Sequence, residues 1–443
     1  MAMGDVYPSR LGVSAGDEGR RVMFVTTGHP ELVAAIASEI AASGPIPFAR
    51  FMELALYHPQ HGYYMRPVES GAERIGWSGD FYTSPDVHSI LGQALARQAR
   101  QIDALLGRPD PFIAVEMGPG KGLLARDFLG AVRAEDPHLS RRLRLVLIER
   151  SPAMRLLQQE TLDPWLGQPG LVTWLEDLRS LSLGSVTGVM FSNELPDAFP
   201  VHRIEIVEGK PLEIFVDYRD GRFVECLKPL SQPAIEKYLR RLDVTLPDGY
   251  RTEINLCAVE WMKGVASGLD RGVAITIDYG HTARDLYGPE RSKGTFLCYY
   301  SQMTSDDPYV RVGLQDMTSH VDFTSLAMIG SETGLETTGF TNQMSFLMGL
   351  GVEETIERLE PESPQLYAAL HLLKPEGMGR TFKILVQHKG IERPMLDGLK
   401  FKPFFGEALA PISEPHGDMG GLTSVELSGA SRLTLHASRG PHG

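Results

Sequence analysis

Residues 112–127 read FIAVEMGPGKGLLARD, and little else in the chain restricts the fold as much. An apolar run from Phe112 to Val115 ends in Glu116, glycines follow at alternate positions (Gly118, Gly120 and Gly122), and the apolar pattern resumes at Leu123 and Leu124. This predicts a strand, a glycine loop and a helix. Glycine takes positive φ and lets the backbone approach a ligand with no Cβ between them. The free N–H groups of the new helix face whatever occupies the crevice. A flat or polar ligand is therefore expected there.

Three kinds of ligand use such loops, and spacing separates them. A phosphate-binding P-loop needs a hydroxyl residue after its lysine, but Gly122 follows Lys121, so that ligand is excluded. The dinucleotide fingerprint can be laid on Gly118, Gly120 and Leu123, yet its third position wants Gly or Ala for close helix packing. The pattern E-x-G-x-G-x-G, counting Glu116, instead resembles the first motif of class I S-adenosylmethionine (SAM) methyltransferases, where the loop wraps the aminoacyl end of SAM.

The 443 residues allow up to about three domains, or one α/β domain with insertions. A formal charge of -13 without clustered Lys and Arg argues against a nucleic-acid partner. No apolar run approaches the ~20 residues of a membrane span, and the first 30 residues lack a signal-peptide pattern, so a cytoplasmic protein is expected. Cys226, Cys257 and Cys298 lie too far apart in sequence for a zinc or disulfide pattern. No metal site is expected, and the thiols are read as reduced and partly buried.

Alternating apolar strands and helices run through 112–116, 143–149, 171–174, 188–194 and 272–280, which predicts an α/β fold with a mainly parallel sheet covered on both faces. Helical spacing precedes it at 31–43, 47–58 and 89–106, with an irregular aromatic stretch at 61–86 that is expected to line a site. Residues 203–227 alternate with period two and read as antiparallel strands inserted into the core. A helix is expected over 252–269, loops to about 322, helices at 322–334 and 352–373, and an antiparallel strand at 381–388 ending the sheet. The chain thus divides into a loose arm (1–30), a helical and aromatic cap (31–110), a core (111–390) with insertions near 201–250 and 281–375, and a tail (391–443).

Ligands in open α/β sheets sit beyond the carboxyl ends of the strands, so strand ends supply the candidates. Glu149 ends the second strand and can accept from both hydroxyls of a ribose; a solvated strand-end acid is the plain alternative. Trp174 and Leu175 beside Glu176 and Asp177 suit an adenine face and its exocyclic amine. The fourth strand ends in SNELPDAFP, where Asn193, Glu194 and Asp197 would form a rigid, electronegative rim facing the glycine loop. Acids favoured by a helix N-terminus would look the same. Asp278 to His281 add a phenol and an imidazole to this edge, and His281 is the nearest candidate base. Asp80, in the aromatic stretch, either caps the helix after Pro85 or meets a charged ligand group. Residues 316–323 read as the start of a helix with Asp322 near its N-cap.

Taken in order, GDFYTSPD (79–86), VEMGPGKGLLARD (115–127), LIERSPAMRLLQ (147–158), SNELPDAFPVHR (192–203), IDYG (277–280), GLQDMTSHVDFTSL (313–326) and MGRTFKILV (378–386) resemble the MidA family. These proteins are also called complex I assembly factor 7-like methyltransferases. The resemblance covers about 31–390 and implies a class I methyltransferase fold that binds SAM through Gly118, Gly120, Gly122 and Glu149, with Asn193, Glu194 and Asp197 facing the substrate. Members are associated with methylating an arginine of a respiratory-complex subunit. Leu195 and Pro196 stand where mitochondrial members are more aromatic, which leaves the acceptor open. Protein-arginine N-methylation is the first expectation. A small-molecule O-methyltransferase and a SAM-binding assembly chaperone with little turnover are the alternatives.

Overall fold

The computed structural model describes residues 28–67 and 73–401. The expected arm up to residue 27, residues 68–72 of the aromatic stretch and the tail beyond 401 lie outside the described residues.

The chain opens with helices α1 (Pro30–Ser43), α2 (Phe48–Tyr57) and α3 (Ile90–Leu105). The core then alternates β1 (Phe112–Met117), α4 (Leu123–Glu135), β2 (Leu143–Ile148), α5 (Pro152–Leu166), β3 (Val172–Leu175) and β4 (Val186–Asn193). After an insertion follow α6 (Leu256–Gly268), β5 (Leu269–His281), α7 (Phe323–Glu332), β6 (Glu336–Asn342) and β7 (Phe382–Lys389). The sheet order is β3-β2-β1-β4-β5-β7-β6, with Val321–Asp322 paired beside the end of β5. Strands β1 to β5 are parallel, and β7 runs antiparallel to both its neighbours. This is the mainly parallel, Rossmann-like sheet expected for a class I methyltransferase.

Both faces are buried because the strands are apolar at odd and even positions alike. Ala114, Val189, Phe191, Ile275 and Ile384 point into one core with α3 and α4, while Val115, Met190, Ala274 and Leu385 point into the other with α6 and α7. The chain order reverses between β1 and β4, so the crevice opens beyond Met117 and Asn193.

The inserted strands are His202–Val207, Lys210–Arg219 and Arg222–Lys228. Their turns, Glu208-Gly209 and Asp220-Gly221, put all four residues at positive φ (51, 71, 50 and 77°), the geometry that matches hairpin twist. Ile46–Pro47 pairs with the middle strand, and α1 and α2 share one apolar core with Val216 and Phe223. The N-terminal helices and the insertion therefore bury each other's apolar faces, whereas α3 packs on the main sheet.

Several expected elements differ. Residues 251–254 form a strand and Asn255 caps α6, accepting from Ala258 N at 2.8 Å. The helix expected over 352–373 is two helices, Val352–Ile356 and Pro364–Leu373, the second beginning at a proline that cannot continue the first. Strand β7 does not end the sheet: β6 lies outside it, and its glycine-interrupted sequence ETTGFTN, exposed at its start and buried at its end, carries no clear period. The passage expected to be loops holds a small sheet of Leu297–Tyr300, Met303–Ser305 and Asp316–Thr318. Among the described residues no helix is long and apolar enough to cross a membrane. The cysteines are unpaired, and Cys257 is exposed rather than partly buried.

Candidate active site

A cavity of about 1740 Å³ lies beyond the carboxyl ends of the strands. It exceeds the roughly 300–1,000 Å³ of a single small-molecule site, leaving space for two reactants. The glycine loop forms one wall. Gly118, Gly120 and Gly122 all have positive φ (69, 52 and 80°), a conformation that L side chains rarely adopt. A Cβ on Gly118 would come within 2.8 Å of Leu195, while one on Gly120 would meet nothing within 4 Å. Gly118 and Gly120 bring backbone without a Cβ to the cavity, beside Pro119 and Lys121.

Behind the loop, Glu116 is buried, and its Oε2 has no hydrogen-bond partner among the described residues. Burial lifts its carboxyl to about 8, with Asp127 adding to the rise. Glu149 lies at the end of β2. Its Oε1 accepts from Ser151 N at 2.8 Å and its Oε2 from Gln158 Nε2 at 3.0 Å, and burial raises its pKa. Each oxygen keeps a lone pair for a further donor. Gln158, fully buried, also donates to the Gly120 carbonyl at 2.8 Å and accepts from the Trp174 indole at 2.9 Å. One amide thus ties the glycine loop, the β2 acid and the β3 aromatic together. Glu176 and Asp177 line the same end of the cavity, and Asp177 is held by Arg179 at 2.8 Å through two side-chain nitrogens.

The opposite wall begins where β4 ends. Glu194 sits at φ 52°, an uncommon conformation for a residue with a side chain. It is fixed by Glu194 N donating to Ile277 O at 3.0 Å. Its Oε1 accepts from Asn193 Nδ2 at 3.0 Å and from Ser84 N at 3.2 Å. Burial and then the Asp197 charge raise its carboxyl to about 8. Asp197 is 5% exposed; the Tyr279 hydroxyl donates to its Oδ2, while its Oδ1 and the Asn193 Oδ1 have no partner among the described residues. Burial lifts Asp197 to about 6. Asp278, fully buried, accepts from Asp197 N at 3.2 Å and lies well above the usual carboxylate range, through burial first and the neighbouring acids second. The partners of Glu194 and Asp197 are an amide, a phenol and backbone N–H groups, all uncharged.

One expectation needs correction here, and the choice left open for Asp80 is decided. His281 does not line the cavity: its Nε2 meets His320 Nδ1 at 3.1 Å, and His320 is the imidazole on the cavity wall. Burial lowers His281 to about 3 and His320 to about 4, so both are neutral near pH 7. Asp80 does not cap the helix after Pro85. Thr83 does, in a reciprocal capping box with Asp86. Asp80 lines the cavity instead, accepting from Tyr63 Oη and Ser301 N, both at 2.8 Å. Asp322 caps α7 as read, accepting from Ser325 N at 3.0 Å.

Two basic residues just after the β4 turn are engaged, while Arg150 lines the cavity and stacks on Tyr57. His202 Nδ1 lies 2.7 Å from the buried Glu213, and Arg203 donates to Glu225 at 2.9 Å while stacking on Phe48 and Phe296. Tyr64, Tyr299, Asp316 and His320 complete the walls, with Gln158 fastening the loop from behind. Tyr64 belongs to the aromatic stretch expected to line a site; Gln158 stands in the middle of a helix, and the others lie in stretches without a period, where nothing in the sequence marks them individually.

Residues 94–341 match a family described as "Putative S-adenosyl-L-methionine-dependent methyltransferase". The chain is similar to the Drosophila melanogaster protein arginine methyltransferase NDUFAF7 homolog, mitochondrial, at 29% identity over 84% of this chain and 88% of that one. With the Homo sapiens protein arginine methyltransferase NDUFAF7, mitochondrial, it shares 26% identity over 85% and 88%. A Burkholderia thailandensis protein crystallised with S-adenosyl-homocysteine superposes with a TM-score of 0.74 at 32% identity, covering 83% of this chain and 94% of that one.

Proposed function

The chain belongs to the MidA-like family of SAM-dependent methyltransferases, and from that premise we propose that it transfers the methyl group to an arginine of a protein. The observation that carries the acceptor is the pair of carboxylates formed by the half-buried Glu194 and the buried Asp197, whose partners are all uncharged. Ionised carboxylates are costly to bury without a counter-charge, and a guanidinium supplies one with donors in a planar fork.

The residues fit the cofactor. The Cβ-free backbone at Gly118 and Gly120 and the unpaired Glu116 Oε2 suit the aminoacyl end of SAM, Glu149 the ribose hydroxyls, and Glu176 with Asp177 the adenine amine. SAM, when bound, supplies a methyl group on a positively charged sulfur. Glu194 and Asp197 then align the acceptor nitrogen; such positioning is worth several kcal/mol of a displacement barrier. Glu194 Oε1 is engaged by Asn193 and Ser84, leaving Oε2 to accept from a guanidinium N–H. Asp80, held by Tyr63 and Ser301, fixes the aromatic segment over the cavity.

The protein acceptor is proposed to be a respiratory-complex subunit, as the family resemblance implies. A cytoplasmic setting remains part of the proposal, although the curated relatives are named as mitochondrial. Incubation of the protein with methyl-labelled SAM and cell extract, separated into protein and small molecules, tests the reading. Label in protein is expected, and label confined to small molecules contradicts it.

A further inference from the structure

A further carboxylate reaches the cavity on a segment outside the seven-stranded core. Asp316 opens the strand Asp316–Thr318, opposite Tyr299 of its neighbour. It is 2% exposed, lines the cavity, and its Oδ1 accepts from the Tyr64 hydroxyl at 2.7 Å. Three residues on, Ser319 N donates to the Asp197 carbonyl at 3.0 Å, which ties this strand to the turn after β4. The Tyr64 ring stacks on Tyr57 at 5.6 Å and 19°, and both line the cavity. The Arg150 guanidinium lies 5.0 Å from the Tyr57 centroid, so this aromatic wall already stacks one guanidinium. Asp197, on the facing turn, keeps a buried Oδ1 with no partner.

We propose that Asp316, Tyr64 and Tyr299 form a guanidinium subsite that completes, from the insertion side, the acceptor clamp begun by Glu194 and Asp197. This rests on the arginine reading and adds selection to it. A planar guanidinium can stack on tyrosine faces while donating in its plane to carboxylates on two sides. A compact, strongly hydrated ammonium matches such a slot less well. Tyr64 acts through Asp316: its phenol fixes one carboxylate oxygen and leaves the other for the ligand. The pair therefore selects arginine over lysine, and its members come from residues 252 positions apart in sequence.

The test is calorimetry on the full chain saturated with S-adenosyl-homocysteine, titrated with acetyl-Gly-Gly-Arg-Gly-Gly-amide and with its lysine counterpart. Wild type is expected to prefer the arginine peptide by at least about tenfold. Asp316→Asn should weaken arginine binding by roughly 10- to 100-fold and remove the preference, with affinity for S-adenosyl-homocysteine unchanged. Tyr64→Phe, which keeps the carboxylate, should lose less and stay folded. Arginine binding by Asp316→Asn equal to wild type overturns the subsite, and so does an equal loss of S-adenosyl-homocysteine affinity, which would mark Asp316 as structural. Wild type that binds S-adenosyl-homocysteine but neither peptide overturns the arginine reading, and the subsite with it.

Discussion

The two walls of the cavity are built in different ways. The glycine-loop wall takes its shape from the backbone, with Pro119 and Lys121 set between its glycines. Gly118, Gly120 and Gly122 hold left-handed conformations within five residues, and Gln158 fastens them to β2 and β3. The facing wall is made by side chains, gathered from Tyr64, Glu194, Asp197, Tyr279, Tyr299 and Asp316, with tyrosines paired to acids at both ends. A backbone wall can hold a ligand common to a whole family, whereas a side-chain wall can change its acceptor by substitution without disturbing the sheet. In this account SAM and acceptor binding are therefore separable, and variants should divide by wall.

The largest effect is expected on the side-chain wall. Glu194→Gln should lower kcat/KM toward an arginine peptide by about 100- to 1,000-fold, the size of removing one partner of a buried charge pair, with SAM affinity kept. On the backbone wall, Gly120→Val should lower SAM affinity by roughly 100-fold, because a branched side chain is strained at φ 52° and enters the space left for the ligand. Calorimetry checks both. Gln158→Leu should weaken SAM by about 5- to 30-fold through its lost buried hydrogen bonds, a test of how far the loop depends on its fastening.

A smaller effect concerns pH. The raised carboxyls of Asp197, Asp316 and Glu194, at about 6, 7 and 8, bind protons in the folded chain that the unfolded chain has released. Stability should fall as pH rises from about 5 to 8, because the native state then holds more protons than the unfolded one. Thermal unfolding should show this slope, and Glu194→Gln should flatten its upper part. Smallest of all, His281→Gln should leave kcat/KM within about twofold, since His281 lies off the cavity wall.

The sequence made these walls unequally legible. The loop, Glu149 and the β4 turn could be read because each lies at the end of an apolar run, and the run predicts where it points. Sheet order followed from the same runs, up to β6, whose glycine and threonines hide its period. Asp316 could not be read. Its strand is three residues long, too short for alternation, and the cap at Asp322 offered a sufficient explanation for the whole stretch. His281 stands at a strand end, yet the chain turns there so that His320 takes the cavity surface. Gln158 was invisible for another reason: a polar residue inside a helix reads as solvent-facing until its neighbours are known.

The most direct test is amino-acid analysis of an arginine peptide after incubation with methyl-labelled SAM, comparing wild type with Glu194→Gln. Labelled methylarginine is expected from wild type, and none at matched enzyme concentration from a variant that still binds SAM. Label on another residue, or equal methylarginine from both proteins, would contradict it.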